Sequence, residues 1–320
     1  MHRNLTTMLA LSTGLVSLAA ADTVLVGTTD GAILTYDTDT GTVSPLALAD
    51  TPVRALTTIG RRGYYSDANG TITVVDLDTA QTVGGFSTSV DAAAVSTDGT
   101  WLYAADTDGE IQKIDPESGA VESSVTTFFG GVTGLGTHWG NLYYGGLNTI
   151  AERAPLADAF PDNNFQFFAA CGGAINSMSF SGLTVVLGSI NGKIYRYDEF
   201  NGIYAQDHFI GSDATGLATL VGGRVLVADS AGELLEVELE TGAVLRSVDV
   251  GQPVASLHAV DVGDACPADL DLTGVLDLGD VQTFIMLAIE GRLGADLDSD
   301  NDVDLADVGL FVDSFTAGCE

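Results

Sequence analysis

The sequence predicts a mainly β chain: a six-bladed β-propeller followed by a small α-helical domain built on EF-hand-like loops. Three observations carry this prediction. A pattern of short strands and Gly-containing turns recurs about every 40 residues through residues 22–262. The last strand-like segment of that region has no partners of its own. Two Asp-rich twelve-residue loops, each running into an apolar stretch at helical spacing, then occupy most of residues 264–320.

In chain order, the first element is an export signal over residues 1–21. His2 and Arg3 supply a short positive region, residues 5–18 are mostly apolar, and Ala19-Ala20-Ala21 offers a small-residue cleavage site before Asp22. The apolar stretch is short for a bilayer span, and no later segment approaches spanning length. A secreted, extracellular product is expected, with attachment to the cell surface as a further possibility and no membrane span.

The propeller repeats follow. A turn recurs as Asp30-Gly31, Asn69-Gly70, Asp108-Gly109, Asn191-Gly192 and Ala231-Gly232. Four of the five are the Asp-Gly or Asn-Gly pairs that suit two-residue primed turns. The interval is close to 40 residues except between Gly109 and Gly192, where it doubles, so one degenerate repeat is expected around residues 142–168, with Asn148-Thr149 in place of the turn pair. Short apolar runs precede each turn (residues 25–26, 64–65, 102–103, 185–187 and 225–227). Half-alternating runs follow it (residues 33–36, 72–75, 111–114, 194–197 and 234–237). A second turn then reads Asp37-Thr38-Asp39-Thr40-Gly41, with copies at Asp115, Asp198 and Glu238, and a further strand opens each unit, as at residues 132–135, 175–178 and 214–217.

Four antiparallel strands per unit describe a propeller blade, and the available length divides into six of them. A seventh blade needs a region of roughly 280 residues. The unpartnered segment 254–258 is expected to complete the blade begun by residues 23–26, closing the ring and removing the free sheet edges of an open array.

The calcium-type loops come last. Asp269, Asp271, Thr273, Val275 (through its carbonyl), Asp277 and Asp280 stand at positions 1, 3, 5, 7, 9 and 12 of the first. Asp296, Asp298, Asp300, Asp302 (through its carbonyl), Asp304 and Asp307 do so in the second. This hard-oxygen pattern wraps Ca²⁺, so two bound ions are expected. Six carboxylates crowd the second loop; at ~4–6 Å each pair repels by roughly 1 kcal/mol even in water, so a cation is expected to accompany compaction. Cys266 and Cys319 bracket the loops and are the expected disulfide in an oxidising compartment, leaving Cys171 as a buried small hydrophobe.

The formal charge of −33 comes from 44 acidic and 11 basic residues. Such a surface excludes nucleic acid and anionic membranes as partners and suits metal binding, salt-rich surroundings or plain solubility. With 46% hydrophobic residues the chain has ample material for a core, so its acidity does not signal disorder.

The wording Asp30-Gly31-x-Ile33 followed by Asp37-x-x-Thr40-Gly41, with its copies, resembles the quinoprotein-like and YVTN-type propeller families over most of residues 22–262. That resemblance implies a fold only, and no quinone site is carried over. The duplicated loop-and-helix unit, opening near Cys266-Pro267 and ending in Gly318-Cys319, resembles a type I dockerin over about residues 264–320. It implies a module that docks onto a cohesin. Positions 10 and 11 are Leu278-Gly279 and Leu305-Ala306 rather than the small hydroxylic residues usual there, so the partner it implies is a cohesin-like protein or a cell-envelope component. Thr273 at position 5 removes one charge from the first site, and Asn301 replaces Gly at position 6 of the second.

No catalytic residue is assigned. His138, His208 and His258 lie in no ligand-spaced cluster, although Thr137-His138-Trp139-Gly140 is unusual wording for a repeat. The expected function is a secreted calcium-binding protein in which the dockerin-like module tethers a propeller that binds or scaffolds a polysaccharide or protein ligand. The alternative is a polysaccharide-active hydrolase or lyase on the propeller, its paired carboxylates drawn from the acidic blade turns.

Overall fold

The computed structural model describes residues 23–49, 51–128, 130–160, 162–181, 184–198, 204–220, 222–260, 268, 270, 276, 278–290, 295, 297 and 303–318. Within them lie six four-stranded antiparallel sheets arranged as the blades of a propeller. β1 (Thr23–Thr28), β2 (Ala32–Asp37) and β3 (Thr42–Leu48) belong to the first blade. The second holds β4 (Ala55–Ile59), β5 (Arg62–Ser66), β6 (Thr71–Asp76) and β7 (Gln81–Ser87). The third holds β8 (Ala94–Thr97), β9 (Leu102–Ala105), β10 (Glu110–Ile114) and β11 (Val121–Thr126).

The fourth blade, hidden in the double interval, is β12 (Val132–His138), β13 (Asn141–Gly146), β14 (Ile150–Pro155) and β15 (Gln166–Ala170), with a single helical turn α1 (Leu156–Ala159) between its last two strands. The fifth is β16 (Ile175–Ser181), β17 (Thr184–Ser189), β18 (Lys193–Asp198) and β19 (Tyr204–Phe209). The sixth is β20 (Gly216–Leu220), β21 (Arg224–Ala228), β22 (Glu233–Glu238) and β23 (Val244–Asp249). The final strand, β24 (Val254–Ala259), pairs with β1 and supplies the inner strand of the first blade, so both ends of the region share one sheet.

Burial follows strand position. The second strands are almost wholly buried, as in Leu102, Tyr103, Leu142, Tyr143 and residues 185–187, because both their faces meet neighbouring blades. Outer strands face solvent, and β7 has five consecutive exposed residues.

The repeated turns join the second and third strands, as the spacing predicted, but they are longer than two-residue primed turns. In the second blade Asp67 Oδ1 accepts from Asn69 N and Thr71 N, at 2.8 and 3.0 Å. Asp106 and Asp229 repeat this in the third and sixth blades. In both, the glycine N–H returns to the aspartate carbonyl, which makes a type I turn closed by a left-handed glycine. In these three blades the aspartate upstream of the turn pair thus selects the longer turn, and the Thr28 and Ser189 hydroxyls stand in the same place in the first and fifth. The glycine carbonyl accepts from the chain leaving the outer strand, for example Ala49 N to Gly31 O at 2.7 Å. A Cβ on Gly31 would stand 2.8 Å from Ala49 O. In the degenerate blade Thr149, with φ 71°, takes this left-handed place, and its carbonyl accepts from Cys171 N at 2.8 Å.

Ring closure is reinforced between the first and sixth blades. Glu236 on β22 is ion-paired with Arg224 and lies 3.7 Å from Arg246, while Arg246 donates to Thr38 O at 2.8 Å in the first blade.

After the propeller come two helices, α2 (Leu278–Glu290) and α3 (Leu305–Ala317), covering the apolar stretches expected to be helical. Phe284 and Phe311 stack at 4.4 Å between ring centroids and, with Ala268, Leu287 and Ala295, form a small separate core. Among the described residues no helix is long and apolar enough to cross a membrane.

Candidate functional site

The six inner strands β4, β8, β12, β16, β20 and β24 wall a channel of about 950 Å³ along the propeller axis. Convergence on the axis leaves little room per strand, and the sequence answers with small residues: Ala55, Ala94, Gly134, Ser177, Gly216 and Ser256 occupy matching places. Hydroxyl groups on the wall bond sideways to the next blade. Ser179 donates to Thr219 Oγ1 at 3.1 Å, Ser96 and Thr137 hydroxyls meet at 3.3 Å, and Ser256 Oγ of the first blade accepts from Leu56 N of the second at 3.2 Å. Several of the wall's polar groups thus hold neighbouring blades together, whereas the buried Thr57 hydroxyl has no hydrogen-bond partner among the described residues.

Ionisable groups in the wall are few: Arg54, Asp98, His138 and His258. Arg54 stands where the chain enters the inner strands and is paired with Asp91. Asp98 stands at the opposite mouth and accepts from Tyr103 Oη and Trp101 N, both at 2.7 Å. His258 Nε2 lies 3.1 Å from Thr58 Oγ1, and enclosure by the wall lowers its imidazole to about 4, so the ring is neutral near pH 7. The lining holds one carboxylate, so among the described residues the channel does not assemble a carboxylate pair.

His138 ends β12 at the Asp98 mouth and Trp139 follows it in the turn. His138 is stacked between Trp139, at 4.2 Å, and Phe180, at 4.8 Å. Trp139 has φ 45° and Gly140 φ 71°, and His138 pairs with Asn141, so the tryptophan occupies the first position of a primed two-residue turn. Its indole also packs against the helical core of α2 and α3. The remaining histidine, His208, is buried between the fifth and sixth blades and hydrogen-bonds Leu239 O at 2.9 Å, a packing role.

Of the expected calcium ligands, Asp269, Asp271, Thr273, Val275, Asp277, Asp296, Asp298, Asp300 and Asp302 lie outside the described residues, as do Cys266, Cys319 and residues 1–21. Asp280, Asp304 and Asp307 lie within them. Asp280 and Asp307, the position-12 residues, both sit in the first turn of their helices with no exposed surface. Asp304 caps α3 in a reciprocal box with Asp307: its carboxylate accepts from Ala306 N at 2.6 Å, and Asp307 Oδ2 accepts from Asp304 N at 2.8 Å. Asp307 Oδ1 accepts from Leu297 N at 2.7 Å, tying the helix back to its loop. Two buried carboxylates at matching positions of a duplicated, oxygen-rich unit are donors of the type a divalent ion takes, although among the described residues no three such side chains converge and backbone N–H groups already bond both Asp307 oxygens.

Cys171 is a free, buried thiol, and burial raises it to about 12, which suits packing rather than nucleophilic chemistry. The contact of Trp139 with the helical region and the Thr58–His258 bond escaped the sequence reading. The one available signal was a tryptophan preceding glycine where the corresponding turns of the second and third blades carry Gly60 and Gly99.

No protein-family model matches the chain, and no curated protein matches it. Solved structures match in fold. A chain in the crystal structure of a nidogen/laminin complex aligns with TM-score 0.67 at 11% identity, covering 74% of this chain and 98% of that one. The computationally designed Ika8 protein aligns with TM-score 0.50 at 18% identity, covering 75% and 76% respectively. At these identities the likeness shows the fold alone, a six-bladed β-propeller.

Proposed function

We propose that the protein is a secreted calcium-binding display protein, in which the module of residues 264–320 takes two Ca²⁺ ions and tethers the propeller to a cohesin-like protein or a cell-envelope component. The propeller is the binding or scaffold part, with a polysaccharide or protein as its ligand. The observation that carries the reading is the pair of buried position-12 carboxylates, Asp280 and Asp307, at the starts of two helices packed through Phe284 and Phe311. A binding role is favoured over catalysis by the channel wall, several of whose hydroxyls bond between blades and whose described lining carries a single carboxylate, Asp98.

Calcium titration of the full chain by calorimetry tests the reading. Two ions are expected for the native protein and one for a variant carrying Asp296→Ala and Asp307→Ala. A chain that binds no calcium, with helices unchanged in EGTA, would refute the tethering role. Screening the same chain against neutral and acidic polysaccharides, scored for retention and for cleavage products, separates a binding propeller from an enzyme.

A further inference from the structure

Trp139 shares its place at the Asp98 mouth of the channel and its left-handed backbone with its counterparts in the second and third blades, but differs from them in two ways: it carries a side chain where that conformation disfavours a Cβ, and its indole packs on the apolar core of the C-terminal helices. The corresponding turns of the second and third blades carry glycine in the left-handed place, Gly60 and Gly99, with nothing near where a Cβ would stand. A bulky aromatic in that place strains the turn, so its packing outward onto α2 and α3 is what the strain supports. His138, sandwiched between Trp139 and Phe180, fixes the indole from behind.

We propose that Trp139 is an intramolecular latch holding the C-terminal helical region against the rim of the channel's Asp98 mouth. Propeller and helices then move as one body, and among the described residues the helices leave the Arg54–Asp91 side of the channel clear. None of the described α2 or α3 residues lines the channel, so the helices sit at the rim rather than plugging the bore. The latch goes beyond tethering: it sets which face of the propeller is presented away from whatever holds the helical region.

The test is Trp139→Gly in the full chain, compared with the native protein by small-angle scattering, hydrogen exchange over residues 278–290 and 305–317, and thermal unfolding of the propeller. Glycine relieves the backbone strain, so the propeller's melting temperature is expected to hold or rise. The helical region should detach, giving a larger radius of gyration and a severalfold loss of amide protection in α2 and α3. A fall in propeller melting temperature with unchanged scattering and exchange would mean that Trp139 is an ordinary propeller packing residue and would overturn the latch. So would a variant indistinguishable from the native chain in all three measurements. Trp139→Phe, which keeps an aromatic ring, is expected to retain most of the protection and so separates loss of packing from any general effect of altering the turn.

Discussion

The phenol of Tyr36 on β2 donates to a carboxylate oxygen of Glu236 on β22 at 3.3 Å, although the two residues stand 200 positions apart. They face each other across the seam where the first and sixth blades meet, and Glu236 also holds Arg224 and Arg246. Burial is the main reason the Tyr36 phenol is raised, and the nearby Glu236 charge adds to it. The shared sheet of β24 and β1 is thus accompanied by a side-chain clasp midway out along the blades.

Removing the clasp's centre should weaken closure. Glu236→Ala leaves two guanidinium groups facing each other without their acid, and the expected loss is about 3 kcal/mol, the low end for a broken buried pair because both arginines keep some hydration. Tyr36→Phe removes one hydrogen bond and is expected to cost about 1 kcal/mol. Urea midpoints at constant m-value measure both.

His258 gives the fold an acid-sensitive term whose sign follows from its lowered pKa. The unfolded chain binds this proton near 6.5, whereas the enclosed ring does so only near about 4. Its contribution is whole above the unfolded value and is lost as pH falls between the two, by up to about 3 kcal/mol. His258→Gln removes this component, so the stability gap between native and variant chains should be constant above pH 7 and shift in the variant's favour toward pH 4.5. Asp37, Asp76 and Asp115 lie below the usual carboxylate range because turn N–H groups bond them, and their contribution fades at still lower pH. An unchanged gap between pH 7 and 4.5 would show that His258 is hydrated rather than enclosed.

Ala80 has φ 57° at the second-blade turn where Gly41, Gly119 and Gly242 serve the first, third and sixth blades. Ala80→Gly is expected to stabilise by about 0.5–1 kcal/mol, the left-handed penalty less the entropy glycine adds to the unfolded chain. Gly31→Ala should do the opposite and cost more than about 2 kcal/mol, because it adds backbone strain to a Cβ only 2.8 Å from Ala49 O. Melting temperatures of the two variants, compared with the native chain, check the pair.

Asp307 has two proposed duties, capping and metal ligation, and one substitution separates them. Asp307→Asn keeps an oxygen acceptor for Leu297 N or Asp304 N and removes the charge. Helix content by circular dichroism is expected to be largely retained while one of two calcium ions is lost in calorimetry. Asp307→Ala removes both acceptors and should cost a further ~1 kcal/mol or more in stability of the region, even in EGTA.

The blade count, the ring closure by residues 254–258 and the two C-terminal helices were legible because each rests on local chemistry. Glycines at positive φ, Asp side chains folding back on turns, and apolar periodicity are all written in consecutive residues. The outer strands were less legible: β7 is exposed along most of its length, so no burial pattern marks it. The turn length was misread because the deciding acceptor, Asp67 or Asp106, lies upstream of the dipeptide that draws attention.

Sequence alone determined the repeat, its phase and the oxygen-rich loops, since each depends on residues within a turn or two of one another. Tertiary structure decided what sits opposite what: Glu236 against Tyr36, His258 against Thr58, and Trp139 against the helical core. Those pairings depend on the angle at which six blades meet and on where the chain leaves the ring. Both are set by the summed packing of many side chains, so no short stretch of sequence encodes them.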